Sequence, residues 1–119
     1  MLELLKEGTV QISQPDIRTL GIFAFRDYGE QLRPMGALIA PHVWAKHIGF
    51  LETVILGQVA PNFDTAEDCR LVGDVVRFPK LKIERGEATL ARAPGLGVEI
   101  DEAAYEKECA PTAKRIIAD

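Results

Sequence analysis

MGALIAPH, residues 35–42, sets a glycine, an unbroken apolar run from Ala37 to Ala40, a proline and then a polar residue, His42. A short run that is apolar at successive positions reads as a strand covered on both faces, the habit of parallel sheets. Pro41 has no N–H to give to a ladder, so the strand ends there. The same design occurs twice more. Upstream, TVQISQPD (residues 9–16) carries Val10 and Ile12, stops at Pro15 and leaves Asp16 at the tip. Downstream, QVAPNFDTAE (residues 58–67) makes an apolar step into Pro61 and runs on through polar residues to Glu67.

The segments between these runs carry a different period. Ile22, Phe25, Tyr28 and Leu32 fall at helical spacing with Arg26, Asp27, Glu30 and Gln31 opposite, which predicts a surface helix over 22–32. Trp44, Ile48, Leu51, Ile55 and Val59 form a second stripe, with Lys46, Glu52 and Gln58 off it, and predict a helix of about four turns. Strand, polar tip, helix and strand again is the alternation of an α/β fold with parallel pairing. Ahead of it, MLELLKEG reads as the last turns of a helix closed by Gly8, with Leu2 and Leu5, with or without Leu4, on one side. Beyond Glu67 the rhythm changes. LKIE and ATLA alternate around Arg85-Gly86-Glu87, a hairpin; RAPGLGVEI (residues 92–100) reads as irregular; Asp101 caps a short helix through Tyr105 to Cys109, which Pro111 ends. The organisation expected is βα units over 1–70, then a hairpin, a Gly/Pro loop and a short helix over 71–119.

Composition bounds the rest. The chain has 119 residues, and 47% hydrophobic with 27% charged residues is globular content, too apolar for disorder and too short for two domains. A net charge of −4, from 18 acidic and 14 basic residues, argues against nucleic acid as a partner. No run reaches the length of a membrane span, and the N-terminus lacks a basic flank with a long apolar stretch. Cys69 and Cys109, 40 positions apart, form no metal or disulfide pattern and read as free thiols. A cytoplasmic location is expected.

Asp16, His42 and Glu67 each follow a strand, at spacings of 26 and 25 residues, about one βα unit apiece. Consecutive tips of a parallel sheet are neighbours, so the three side chains converge at its C-terminal end. An Asp beside a His orients the ring and stabilises its protonated form, which makes a competent general base. The plainer reading stays open: Asp16 caps a turn, His42 packs on Trp44, and Glu67 is solvated. Trp44 either roofs a pocket beside His42 or heads the core stripe. Asn62 and Asp64 bind substrate hydroxyls or form a turn. His47, five positions beyond His42, reads as a surface or packing residue. Gly95 and Gly97 lack the strand-to-helix context of a dinucleotide fingerprint and read as loop glycines.

VQISQPDIRTLG, ALIAPH, APNFDTAE and LARAPGLGVEIDEAAYEK, in that order, resemble the C-terminal portion of the mandelate racemase and muconate lactonizing branch of the enolase superfamily, from about Leu4 to Lys107. The resemblance implies the last three βα units of a partial TIM-type barrel, followed by the C-terminal hairpin and short helix. It implies a Mg²⁺-dependent isomerase or lyase that removes the proton α to a carboxylate, here an acid-sugar dehydratase or a racemase. Carried over by motif, Asp16 and His42 are the base dyad and Glu67 faces the intermediate. Three departures accompany it. Leu20-Gly21-Ile22 stands where two glycines are common, the carboxylate metal ligands and paired lysines would lie upstream of Met1, and so would the capping domain. A homo-oligomer, or a second chain carrying the N-terminal half, is then expected to cover the open edges. The alternative is a non-catalytic relic or assembly module that folds by self-association.

Overall fold

A computed structural model describes residues 2–44, 48–68 and 75–114, and the chain divides into two compact units, Met1–Leu71 and Val72–Asp119. The first unit runs α1 (Leu2–Lys6), β1 (Ile12–Ser13), α2 (Ile17–Leu20), α3 (Ile22–Leu32), a 3-10 turn at Arg33–Met35, β2 (Leu38–Ile39) and α4 (Ile48–Gly57). β1 and β2 pair in parallel, Ile12 with Leu38 and Ser13 with Ile39, as the repeated Pro-stopped runs require.

Alternation along these two segments decides what is core. Ala37, Ile39, Pro41 and Val43 are all buried, as are Ser13 and Ile17 in the neighbouring segment. They face the helices, where Ile39 joins Leu5, Phe25, Leu32, Val43 and Leu56 in one apolar cluster. The even-numbered positions divide: Ala40 is buried as well, while those within the strands point outward. Ile12 and Leu38, cross-strand partners, are 42% and 36% exposed. The expectation of strands covered on both faces therefore fails on one face, because the described residues supply helices to one side only.

Helix α3 has the expected bounds and buries Phe25, Gly29 and Leu32. It starts directly after Gly21, whose φ of 78° and ψ of 156° suit glycine alone, so one glycine at this turn is sufficient. Gly29 lets the helix approach β2 closely: a Cβ there would stand 2.9 Å from Ile39 Cδ1. In α1 only Leu5 is buried; Leu2 and Leu4 are exposed.

Two expectations in this unit are corrected. The third strand of the barrel arc is reduced, among the described residues, to a single parallel bridge between Ile39 and Phe63, so the topology is mixed α/β without a continuous three-stranded sheet. The run after Val59 turns at once through Ala60 and Pro61, which leaves too little extended chain for a longer ladder. The stripe assigned to the second helix is also displaced. α4 buries Gly49, Phe50, Leu51, Thr53, Val54 and Leu56, whereas Trp44, Ile48 and Val59 are exposed. A helix apolar on nearly every side offers several stripes of equal quality, and packing, not period, chooses among them.

The second unit holds β3 (Val76–Arg77), β4 (Leu81–Glu84), β5 (Glu87–Leu90), β6 (Glu99–Ile100), α5 (Glu102–Glu108) and a 3-10 turn at Ala110–Thr112. β4 and β5 form the expected hairpin, turning on Arg85 and Gly86 with φ of 53° and 81°. Two left-handed residues in a two-residue loop make the turn whose twist matches the strands. The segment read as irregular ends in order: Glu99 and Ile100 pair antiparallel with Arg77 and Val76. Asp101 caps α5, accepting from the Ala104 N–H at 2.9 Å, and also receives Arg77. Among the described residues no helix is long and apolar enough to cross a membrane. Lys46, His47 and Cys69 lie outside the described residues.

Candidate active site

The tips of β1 and β2 continue in register beyond the strands. Asp16 and His42 form a further parallel bridge, with the His42 N–H donating to Pro15 O at 3.1 Å and the Ile17 N–H donating to His42 O at 3.2 Å. Prolines at equivalent positions stop both strands, so the residue after each proline falls level with its counterpart. Bridged residues share a face, and Ile17 and Val43 take the buried one. Asp16, His42 and Trp44 are left on the open face, beyond Ile12 and Leu38.

Asp16 divides its oxygens. Oδ1 accepts the N–H groups of Arg18 at 2.8 Å and Thr19 at 3.3 Å, capping α2, and Oδ2 lies 3.1 Å from His42 Nδ1. One carboxylate thus both caps the turn and bonds the His42 ring. Burial pushes the Asp16 carboxyl up, but the His42 hydrogen bond, the two backbone N–H groups and the imidazole charge outweigh it and hold the pKa below the usual carboxylate value. With Nδ1 engaged, Nε2 of a ring that is 41% exposed is the nitrogen left for an incoming proton.

Glu67 arrives at the same place by another route. Its Oε2 accepts the Val43 N–H at 2.9 Å, one residue from His42, so it is tied to the neighbouring tip rather than simply solvated. Trp44 is 74% exposed and heads no core stripe; its ring lies nearly parallel to that of His42, 10° between planes and 6.3 Å between centroids. Asn62 takes the turn reading: with Pro61 it forms the bend that the Phe63 N–H closes on Ala60 O at 3.2 Å, and its side chain is not turned to a substrate. It is buried, its Nδ2 donates to Gly29 O at 3.0 Å and Ala37 O at 2.9 Å, and its Oδ1 has no partner among the described residues. It pins α3 to the start of β2. Asp64 contributes a backbone N–H to Ile39 O at 2.9 Å.

Two participants escaped the sequence reading. The four-residue helix α2 is signalled only by Asp16 followed by residues whose N–H groups it can cap. Arg18, whose Nη1 donates to Trp44 O at 3.1 Å, gives no pattern at all, since the contact spans 26 residues.

The residues present do not fit a hard cation. Among the described residues no three His, Cys, Asp or Glu side chains group as ligands; both Asp16 oxygens are committed to backbone N–H groups and to His42, and Glu67 Oε2 to the Val43 N–H.

A parallel strand pair with helices on one face is part of an α/β fold, and the Asp–His pair stands at the C-terminal strand ends, where such folds place their sites. Residues 1–104 match the family described as enolase C-terminal domain-like, and the chain belongs to it. A mutant galacturonate dehydratase from Geobacillus sp., solved with Mg, superposes with a TM-score of 0.82 at 24% identity, over 93% of this chain and 29% of that one. A mandelate racemase/muconate lactonizing protein from Geobacillus sp. Y412MC10, solved with magnesium and tartrate, gives 0.80 at 26% identity over 88% and 28%. A galacturonate dehydratase from Geobacillus sp. with D-galacturonate and 5-keto-4-deoxy-D-galacturonate gives 0.80 at 25% over 89% and 29%. No curated protein matches. The chain spans less than a third of the length of these solved relatives.

Proposed function

We propose that this chain is the closing part of a barrel enzyme, its last three βα units with the C-terminal hairpin and helix. It would serve as a fragment or subunit of an acid-sugar dehydratase or racemase that moves the proton α to a carboxylate. The observation that carries this is the Asp16–His42 pair, bonded through Nδ1 and level at the tips of two parallel strands, on the face those strands leave open. In this reading Asp16 fixes the tautomer and His42 Nε2 accepts or returns the carbon-bound proton. Glu67, anchored on the Val43 N–H by one oxygen, keeps the other for a substrate hydroxyl or carboxyl. Among the described residues no cation cage forms, so any Mg²⁺ would be held by groups from elsewhere. Charge developing on the substrate needs stabilising groups from another chain or segment, and the isolated chain is expected to be inactive.

The test joins this chain to the portion of Geobacillus galacturonate dehydratase that it does not span and follows α-proton exchange into deuterated water with D-galacturonate or tartrate. Exchange that disappears in His42→Asn and falls steeply in Asp16→Asn supports the reading. A His42→Asn form as active as its parent overturns it. The second reading, a non-catalytic assembly module that folds by self-association, is favoured by the exposed Ile12–Leu38 face and by the lack of a cation cage among the described residues. A joined protein that folds but exchanges nothing selects it.

A further inference from the structure

With Phe23, Trp44 is the most exposed large apolar side chain among the described residues, yet its main chain is held. Arg18 reaches across from α2. Its stem passes Gly49 of α4, where a Cβ would meet Arg18 Cγ and Cδ at 3.6 Å, and its Nη1 then donates to Trp44 O. The 3.6 Å is ordinary packing distance; the closer neighbour of such a Cβ is Val43 Cγ1 at 3.0 Å. Four main-chain groups along the tip are held: His42 N by Pro15, His42 O by Ile17, Val43 N by Glu67 and Trp44 O by Arg18.

The consequence falls on His42. A hydrogen bond from the His42 Nδ1–H to the Asp16 carboxylate fixes one atom of the imidazole and leaves the ring free to swing about that bond. A parallel aromatic neighbour within about 7 Å restricts the swing. We propose that Arg18 is a positioning residue of the candidate site: by holding Trp44 through its main-chain carbonyl, it sets the indole that fixes the plane in which His42 presents Nε2. The inference rests on His42 being the base of the reading above. Among the described residues, the charged groups around the ring pair are Asp16 at Nδ1, Glu67 on the Val43 N–H, Arg18 itself and Glu52 of α4. Burial pushes the Glu52 carboxyl up, against the pull of the Arg18 charge, which places that charge over α4.

Trp44 is the chain's only tryptophan, so intrinsic fluorescence of the full 119-residue chain reads this site directly. A protonated imidazole held against an indole quenches it. On acidification the emission is expected to fall in one step that His42→Gln abolishes and that His47→Gln, the chain's other histidine, leaves intact. Arg18→Met should lose most of the step with unchanged far-UV circular dichroism, and Arg18→Lys, which keeps a donor, should restore it. A full step in Arg18→Met, or a step surviving His42→Gln, overturns the inference. Should Arg18→Met fail to fold, the parent chain decides: nuclear Overhauser contacts between the His42 and Trp44 rings are expected, and their absence overturns it equally. The step can persist in a protein that fails the exchange assay, which sinks the function alone; exchange without the step sinks this inference alone.

Discussion

Asp16 couples two structures through one carboxylate, a cap on α2 and a bond to His42, and a single substitution separates them from the rest of the fold. Asp16→Asn keeps the shape and weakens both acceptors, so it should cost about 1–2 kcal/mol at neutral pH. The pH dependence follows from the sign of the shift. The folded-state pKa lies below the ordinary value of 3.8, so the stabilisation is complete above that value and is lost as pH falls through the folded pKa. Urea midpoints of the parent should therefore drop on acidification below about pH 4, and the Asn variant should drop less. Equal slopes would remove Asp16 from the account. Gly29 offers a test of the opposite kind. Alanine gains about 1 kcal/mol of helix propensity, but its Cβ would stand 2.9 Å from buried Ile39 Cδ1 and 3.2 Å from Asn62 Oδ1. Overpacking a close-packed core costs about 1–3 kcal/mol, so Gly29→Ala is expected to lower the thermal midpoint despite the better helix former.

At the scale of elements, the hairpin β4–β5 has a turn with one ideal and one strained position. Gly86, at φ 81°, has nothing within 4 Å of a built Cβ, so alanine there meets only backbone strain, about 1 kcal/mol. Arg85, at φ 53°, is a side-chain-bearing residue in the left-handed region, and Arg85→Asn supplies the pair this turn favours. Amide exchange across Leu81–Glu84 should quicken in Gly86→Ala and slow in Arg85→Asn; the reverse order would refute the turn assignment. This hairpin was legible because its turn residues are local. The β1–β2 register was legible for a similar reason: Pro15 and Pro41 mark equivalent ends, and Asp16 and His42 follow each by one position. Trp44 was not, because an apolar residue ahead of an apolar helix looks like core until the alternation 41, 42, 43, 44 is seen to bury Pro41 and Val43 instead. Asn62 was not either, since its acceptors, Gly29 O and Ala37 O, are fixed only when α3 and β2 have packed.

At the largest scale the decisive feature is a parallel strand pair of the first unit that, among the described residues, leaves Ile12 and Leu38 partly exposed. Such sheets are ordinarily buried on both sides, and here Ile12 and Leu38 stand side by side in register, partly exposed, on the face that also carries Asp16 and His42. Whatever covers that face becomes a wall of the candidate site. Magnesium should not substitute for it: titration calorimetry of the isolated chain should show no more than acidic-surface binding, and one stoichiometric site near micromolar affinity would contradict the ligand count. Apolar side chains in that position favour association, each fully buried one contributing about 1.5–3 kcal/mol, less here because both are already partly covered. Sedimentation of the parent chain is therefore expected to show concentration-dependent association above the 13.1 kDa monomer. Ile12→Ser with Leu38→Ser should shift it toward the monomer at a cost in unfolding free energy that stays small, since partly exposed positions tolerate polar replacement. Ile39→Ser, one residue along but facing the helices and fully buried, should instead cost about 3 kcal/mol or more and unfold the first unit. The contrast between adjacent positions is what makes the test specific: a parent that remains a compact monomer at every concentration, or a double variant that associates as strongly as the parent, would place the association surface elsewhere.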